Sequence, residues 1–207
     1  DPTDGEHLLL GSVGSGEQAD SSGTLYQSFD AGSSWTAATG IPQNTSSAHT
    51  ILFRDGGRVL AGFYKAGDMS HLSGEGIGVY GSADNGATWA SVDFPHPDVQ
   101  SLVGTDESVW ACAGDGLYRS DDEGSTWSIV HGGNALSVAF YGDRGVLLMA
   151  TGQVLESTDA GDTWSEAHPA EHSLPEEMNP LAQVAFSPGG EMAWATLYNL
   201  GIYRRSY

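Results

Sequence analysis

The stretch Ser120-Asp121-Asp122-Glu123-Gly124-Ser125-Thr126-Trp127 decides the fold, because the chain carries four versions of it. The others are Ser28-Phe29-Asp30-Ala31-Gly32-Ser33-Ser34-Trp35, Ser82-Ala83-Asp84-Asn85-Gly86-Ala87-Thr88-Trp89 and Ser157-Thr158-Asp159-Ala160-Gly161-Asp162-Thr163-Trp164. All read S-x-D-x-G-x-[ST]-W, and their tryptophans are spaced by 54, 38 and 37 residues. The residue types explain the pattern. A short Asp side chain can bond the backbone two residues on and hold a turn. Glycine two positions later tolerates positive φ without steric cost. The Ser or Thr before Trp adds a local hydroxyl. The tryptophan opens the next strand and buries a large ring. Each box is therefore a hairpin corner with a hydrophobic anchor.

Working outward, a strand-like apolar run precedes each box, at residues 24–27, 78–81, 116–119 and 153–156. Two further apolar runs lie upstream of the later boxes, at 99–103 and 108–113 for the third and at 135–140 and 145–150 for the fourth. One unit is thus four short strands in about 38 residues, the period and strand count of a β-propeller blade. The expected fold is an all-β propeller of four-stranded antiparallel blades in a single domain, residues 1–207. Five blades are expected, over about 1–40, 48–94, 98–131, 135–168 and 180–207. The first begins on a run that matches a second strand, and the last stops before a fifth box. Whether these two ends complete each other, are completed by a partner, or belong to a longer chain stays open in the sequence.

These segments resemble Asp-box repeats (bacterial neuraminidase repeats), found in sialidases, sortilin-type receptors and related propellers. The resemblance covers nearly the whole chain. It implies that the boxes link third to fourth strands at the periphery of one face. It also implies that ligands use the opposite face, where the second-to-third loops and the inter-blade linkers lie. On this basis Ser28, Asp30, Gly32 and Trp35, with Ser82, Asp84, Gly86, Trp89, Ser120, Asp122, Gly124, Trp127, Ser157, Asp159, Gly161 and Trp164, are structural. Sialidase activity is not expected, because it needs three arginines converging on a substrate carboxylate. Arg54, Arg58 and Arg144 are assigned to first-to-second-strand turns, on the wrong face, and Phe53-Arg54 continues as Asp55-Gly56 rather than as Ile-Pro.

Composition narrows the partners. Gly supplies 29 of 207 residues, roughly twice its usual share of about 7%. That suits tight turns and opposes a helical bundle. Asp and Glu number 27 against 7 Lys and Arg, a net charge of −20. Such a surface repels phosphates, so nucleic acid and membrane insertion are not expected. Lys65 is the sole lysine. Acid excess with almost no lysine points to a halophilic organism or its virus, since at about 1 M salt the Debye length is about 3 Å and carboxylate repulsion is screened. The lone Cys112 excludes an internal disulfide framework. Trp110 and Trp194 read as inter-blade core. Asn44-Thr45-Ser46 is a glycosylation sequon, compatible with an extracellular, cell-surface or virion-surface location.

The histidines mark the candidate ligand face. His49, His96, His131, His168 and His172 read as linker residues, and His71 lies in a long second-to-third loop. Asp68, Glu75, Asp98, Glu171, Glu176 and Glu177 are near them in sequence. No tight metal-ligand spacing appears and no cofactor is expected, with Ca²⁺ or another divalent cation left as an option. No catalytic residue is assigned. The expected function is a non-catalytic interaction or structural module, binding a protein or glycan on the face opposite the boxes or at open blade edges, within a larger assembly. The alternative is a glycosidase-like, carbohydrate-active enzyme with its site at the channel mouth of that same face.

Overall fold

The computed structural model describes residues 1–11, 25–41, 46–65, 76–167, 182–197 and 201–207. Five antiparallel sheets follow one another along the chain. The first holds β1 (Leu8–Gly11), β2 (Leu25–Ser28) and β3 (Thr36–Ala37). The second holds β4 (Ser46–Phe53), β5 (Val59–Lys65), β6 (Gly76–Ser82) and β7 (Ala90–Ser91). The third is β8 (Val99–Gly104), β9 (Val109–Ala113), β10 (Gly116–Ser120) and β11 (Ser128–Gly132), and the fourth is β12 (Ala135–Tyr141), β13 (Arg144–Met149), β14 (Val154–Ser157) and β15 (Ser165–Glu166). The fifth holds β16 (Gln183–Phe186), β17 (Met192–Leu197) and β18 (Gly201–Ser206). A single 3-10 turn, Asp55–Gly57, joins β4 to β5. Every sheet is a meander in chain order, as expected for propeller blades.

Alternation along the second strands assembles the stack. Val59, Ala61 and Phe63 of β5 pack toward the first sheet with Leu25, Ala38 and Trp89. Leu60, one residue out of phase, packs with Val99, Val109 and Ala111 of the third sheet. In β9, Trp110 and Cys112 face the fourth sheet with Leu147 and Met149. In β13, Val146 and Leu148 face Ala182, Val184 and Ala193 of the fifth. A strand buried on both faces carries apolar residues at odd and even positions alike, and the period of two sorts them between neighbours. The four resulting clusters are the four seams between consecutive sheets. The inner strands β4, β8, β12 and β16 adjoin one another in that order. No comparable packing joins the fifth sheet to the first among the described residues. Leu8, Leu9 and Leu10 pair with β2, and Ile202, Tyr203 and Arg204 pair with β17, so these two strands do not pair with each other.

The boxes share one hydrogen-bond scheme. In the third, Ser120 Oγ donates to Asp122 Oδ1 at 2.7 Å and accepts from Gly124 N–H at 2.8 Å. Asp122 Oδ1 accepts from Thr126 N–H at 2.7 Å, and its Oδ2 accepts from the Thr126 hydroxyl at 2.7 Å. The Asp thus reaches four residues on, not two as the local-turn reading had it. The residue before each glycine is also left-handed: Ala31, Asn85, Glu123 and Ala160 have φ of 54° to 57°. The indole N–H of Trp127 bonds back to Gly124 O at 3.1 Å. That bond holds the ring in the corner, so the outer strands start one residue after the tryptophan rather than on it.

Candidate functional site

Two sides of the stack are defined by backbone bonds. On one side each box meets the turn between first and second strands: Asn85 N–H donates to Gly57 O at 2.9 Å, and Ala160 N–H donates to Asp143 O at 2.8 Å. On the other, the linkers meet the start of a third strand and a second-to-third corner: Gly78 N–H of β6 donates to Pro97 O at 2.9 Å, and Gly114 N–H, between β9 and β10, donates to Asp98 O at 3.1 Å. These are the box side and the linker side.

The linker side carries a buried polar network between the second and third sheets. Its origin is a pair of β-bulges. β4 shifts register between Ala48 and Thr50, at His49, and β8 shifts between Val99 and Ser101, at Gln100. A bulge re-aims the side chain it carries. The two bulged residues meet: His49 Nε2 lies 2.7 Å from Gln100 O, and a carbonyl there requires Nε2 to be the donor. The His49 ring stands edge-on to Tyr64 at 4.9 Å. Tyr64 donates to Val99 O at 3.0 Å. Burial, and then the adjacent Asp98 charge, push the Tyr64 hydroxyl far above its ordinary range. Gln100 donates from Nε2 to Asp98 Oδ1 at 3.1 Å, and both residues are buried. Asp98 N–H donates to His96 Nδ1 at 3.1 Å, and the same Nδ1 lies 3.3 Å from Asp98 O. Gln100 Oε1 is buried with no hydrogen-bond partner among the described residues.

The structure brings together only some of the sequence candidates. His96 is in a linker as expected, and it joins the network. His49 and His131 are corrections: His49 sits inside β4 and His131 inside β11, because both strands extend further toward the linker side than their apolar runs suggested. His131 lies opposite Leu117 and has no contact with the His49 group among the described residues. His71, His168 and His172 lie outside the described residues, as do Asp68, Glu75, Glu171, Glu176 and Glu177. Tyr64 and Gln100 were missed. Tyr64 reads as an ordinary strand aromatic, and no residue pattern announces a bulge. Among the described residues, no three His, Cys, Asp or Glu side chains converge as metal ligands.

A groove of about 690 Å³ lies instead on the box side, between the third and fourth sheets. Asp106, Glu107, Asp121, Asp143 and Asp162 line it around Arg119. Arg119 bridges the seam, with Nη1 at 2.6 Å from Asp162 Oδ1 and Nε at 2.9 Å from Asp121 Oδ1. Arg54 does the same one seam earlier, pairing Glu123 at 2.7 Å, and Arg144, which opens β13 rather than sitting in a turn, stacks its guanidinium on Tyr207 at 4.5 Å. These arginines fasten adjacent sheets and do not converge on one anion. Cys112 is fully buried and its thiol is pushed up to about 12 by desolvation, the opposite of an activated nucleophile.

The profile of the DUF6242 beta propeller domain matches residues 69–186, more than half of the chain. No curated protein matches the chain in sequence. Among solved structures, a GH74 enzyme from Niastella koreensis is similar at 16% identity with a TM-score of 0.72, over 99% of this chain and 35% of that one. YCF48 bound to D1 peptide is similar at 14% identity with a TM-score of 0.62, over 98% of this chain and 60% of that one. The extracellular domain of BT4673 from B. thetaiotaomicron is similar at 14% identity with a TM-score of 0.70, over 99% and 26%. At these identities the likeness shows the fold alone. The chain spans about a third of the GH74 enzyme's length.

Proposed function

The chain belongs to the DUF6242 beta-propeller family, and from that premise we propose that it is a non-catalytic binding module taking a protein or peptide segment on its linker side. The observation that carries the reading is Gln100: a bulge turns it into a buried network with His49, Tyr64, Asp98 and His96, and its Oε1 is left without a donor. A buried amide oxygen lacking a partner costs about 1–3 kcal/mol, which a donor from a bound backbone or side chain removes. His49, Tyr64 and Gln100 lie within strands, so little ordering is lost at these residues on binding. Binding of this kind needs no resident cofactor. YCF48 supplies precedent for a peptide on the same fold. The S-x-D-x-G-x-[ST]-W corners are assigned as Asp-box repeats with a structural role. Among the described residues the outer edges of β1 and β18 pair with no further strand, which makes them a second place for a partner strand, since open edges template pairing.

Random peptides displayed on phage and panned against the folded chain test this. Enriched peptides should lose binding to Gln100→Leu and His96→Ala while these variants keep the wild-type circular dichroism. Enrichment unaffected by both substitutions would sink the reading. The alternative, a carbohydrate-active enzyme with its site on the same side, has precedent in GH74 enzymes that share the fold. It predicts release of reducing ends from a polysaccharide panel, abolished by Asp98→Asn.

The setting is proposed to be outside the cytoplasm of a halophile or its virus, on the charge of −20 and the single lysine. The melting temperature should rise steeply between 0.1 M and 3 M KCl, as screening relieves carboxylate repulsion. A flat response removes the halophile assignment.

A further inference from the structure

Beyond ligand binding on the linker side, we propose that the outward face of the first sheet docks the fifth sheet of a second copy of this chain. The argument starts from the repeated seam. In β5 and β9, the second residue packs against the next sheet's box. A Cβ placed on Gly86 would lie 3.3 Å from Leu9 of the preceding sheet. The same construction on Gly124 meets Leu60, and on Gly161 it meets Trp110. Each box glycine is thus a socket for one large apolar side chain from the sheet before it.

The first box has no such occupant. The nearest side chain to a Cβ on Gly32 is Leu8 of its own sheet, at 3.5 Å. The consequence is measurable in burial. Leu10 pairs with Tyr26 as Ala61 pairs with Tyr80 and Ala111 with Tyr118. Ala61 and Ala111 are 0% exposed, whereas Leu10 is 49% exposed. Trp35 is 40% exposed against 5% for Trp89, and Phe29 beside it is 55% exposed. Leu10, Phe29 and Trp35 are therefore about half exposed at one end of the stack, and no sheet of the described residues packs over them as one does at every seam behind.

The fifth sheet offers the matching side chain. Trp194 lies opposite Arg204 in β18 as Trp110 lies opposite Arg119 in β10. Its neighbours Ala193 and Ala195 pack back onto the fourth sheet, so alternation turns Trp194 toward the far face. Trp194 therefore holds the register position of Leu9, Leu60 and Trp110 with no box in front of it among the described residues. Seating Trp194 over Gly32 beside Trp35 reproduces the Trp110–Gly161–Trp164 seam, in which the two indoles meet edge to face at 6.5 Å. The contact is heterologous, with different surfaces on the two copies, so it propagates or closes into a ring.

Sedimentation velocity on the 207-residue chain tests this, in 1 M NaCl to screen the charge of −20, up to about 100 µM, where a micromolar contact is saturated. The wild-type sedimentation coefficient should rise with concentration. Trp35→Glu breaks the first face and Trp194→Glu the fifth, and each variant alone should sediment as a monomer. Because each keeps one intact face, an equimolar mixture of the two should form a dimer and nothing larger. If Trp35→Glu fails to fold, Leu10→Asp replaces it. A wild-type chain that stays monomeric overturns the proposal. Association that survives both substitutions, or a mixture that fails to recover a dimer, overturns it as well.

Discussion

In the third sheet the box lies against Leu60 of the sheet before it and Phe94 of the linker between them, and Trp127 meets Phe94 edge to face at 5.0 Å. In the first sheet the same eight-residue corner keeps its internal bonds, with Ser28 Oγ accepting from Gly32 N–H at 2.8 Å and Trp35 Nε1 donating to Gly32 O at 3.1 Å. Only the neighbour differs. The corner is therefore built by local hydrogen bonds, and its contribution to stability is set by what the adjoining sheet places over it. A motif that looks identical four times in sequence does four jobs of different weight.

The comparison breaks most directly at the tryptophans. Trp89→Ala should cost about 3–5 kcal/mol, the usual range for emptying a buried Trp site. Trp35→Ala should cost about 1 kcal/mol, since much of that ring is already in water. Urea unfolding of both variants measures the difference. Equal costs would mean that the preceding sheet contributes nothing to the corner.

The glycines give a smaller separation. Gly32 and Gly161 have φ of 86° and 92°, so alanine at either is strained by about 1–2 kcal/mol. At Gly161 the added Cβ also collides with the Trp110 ring, which adds about 1–3 kcal/mol of overpacking. Gly161→Ala should therefore destabilise clearly more than Gly32→Ala, and the crystal structure of Gly161→Ala should show Trp110 displaced. An unmoved Trp110 with equal destabilisation at both sites would remove the socket from the account.

The smallest effect is in acid. Hydrogen bonds from Thr88, Thr126 and Thr163 lower Asp84, Asp122 and Asp159 to about 2. Asp30 is lowered too, with Ser34 as its leading donor. A carboxylate with a depressed folded pKa contributes stability above its unfolded value of about 3.9. That contribution is lost as pH falls toward the folded value. The acid-unfolding curve should thus steepen between about pH 4 and pH 2. Asp122→Asn should flatten it, and so should Asp30→Asn, because these bonds lie inside each corner and ignore the neighbouring sheet. A flat curve in the wild type would mean the corners are not held by their carboxylates.

What was legible in the sequence follows from range. The box spans eight residues, and its bonds all close within that span, so residue types alone carry it. The strand runs around it are apolar on both faces and short, which fixes blades rather than helices. The network at His49, Gln100, Tyr64, Asp98 and His96 was legible only through its histidines and Asp98. Its geometry comes from two bulges, each a register slip against a partner strand, and nothing in the residues 46–53 or 99–104 encodes the slip locally. The same holds for Trp110 and Trp194, which read alike as core. Trp110 is buried against the fourth sheet's box, whereas Trp194 is only partly buried and meets no box among the described residues.

The sequence by itself determined the repeating corner, the all-β class and the acidic surface, because each depends on residue type or on contacts a few positions apart. The tertiary structure alone decided which side chains share a seam, which bulges turn Gln100 and His49 toward each other, and which apolar faces remain in water. Those are relations between strands distant in the chain. They are set by register and by the order in which sheets stack, and neither quantity exists until the sheets have packed.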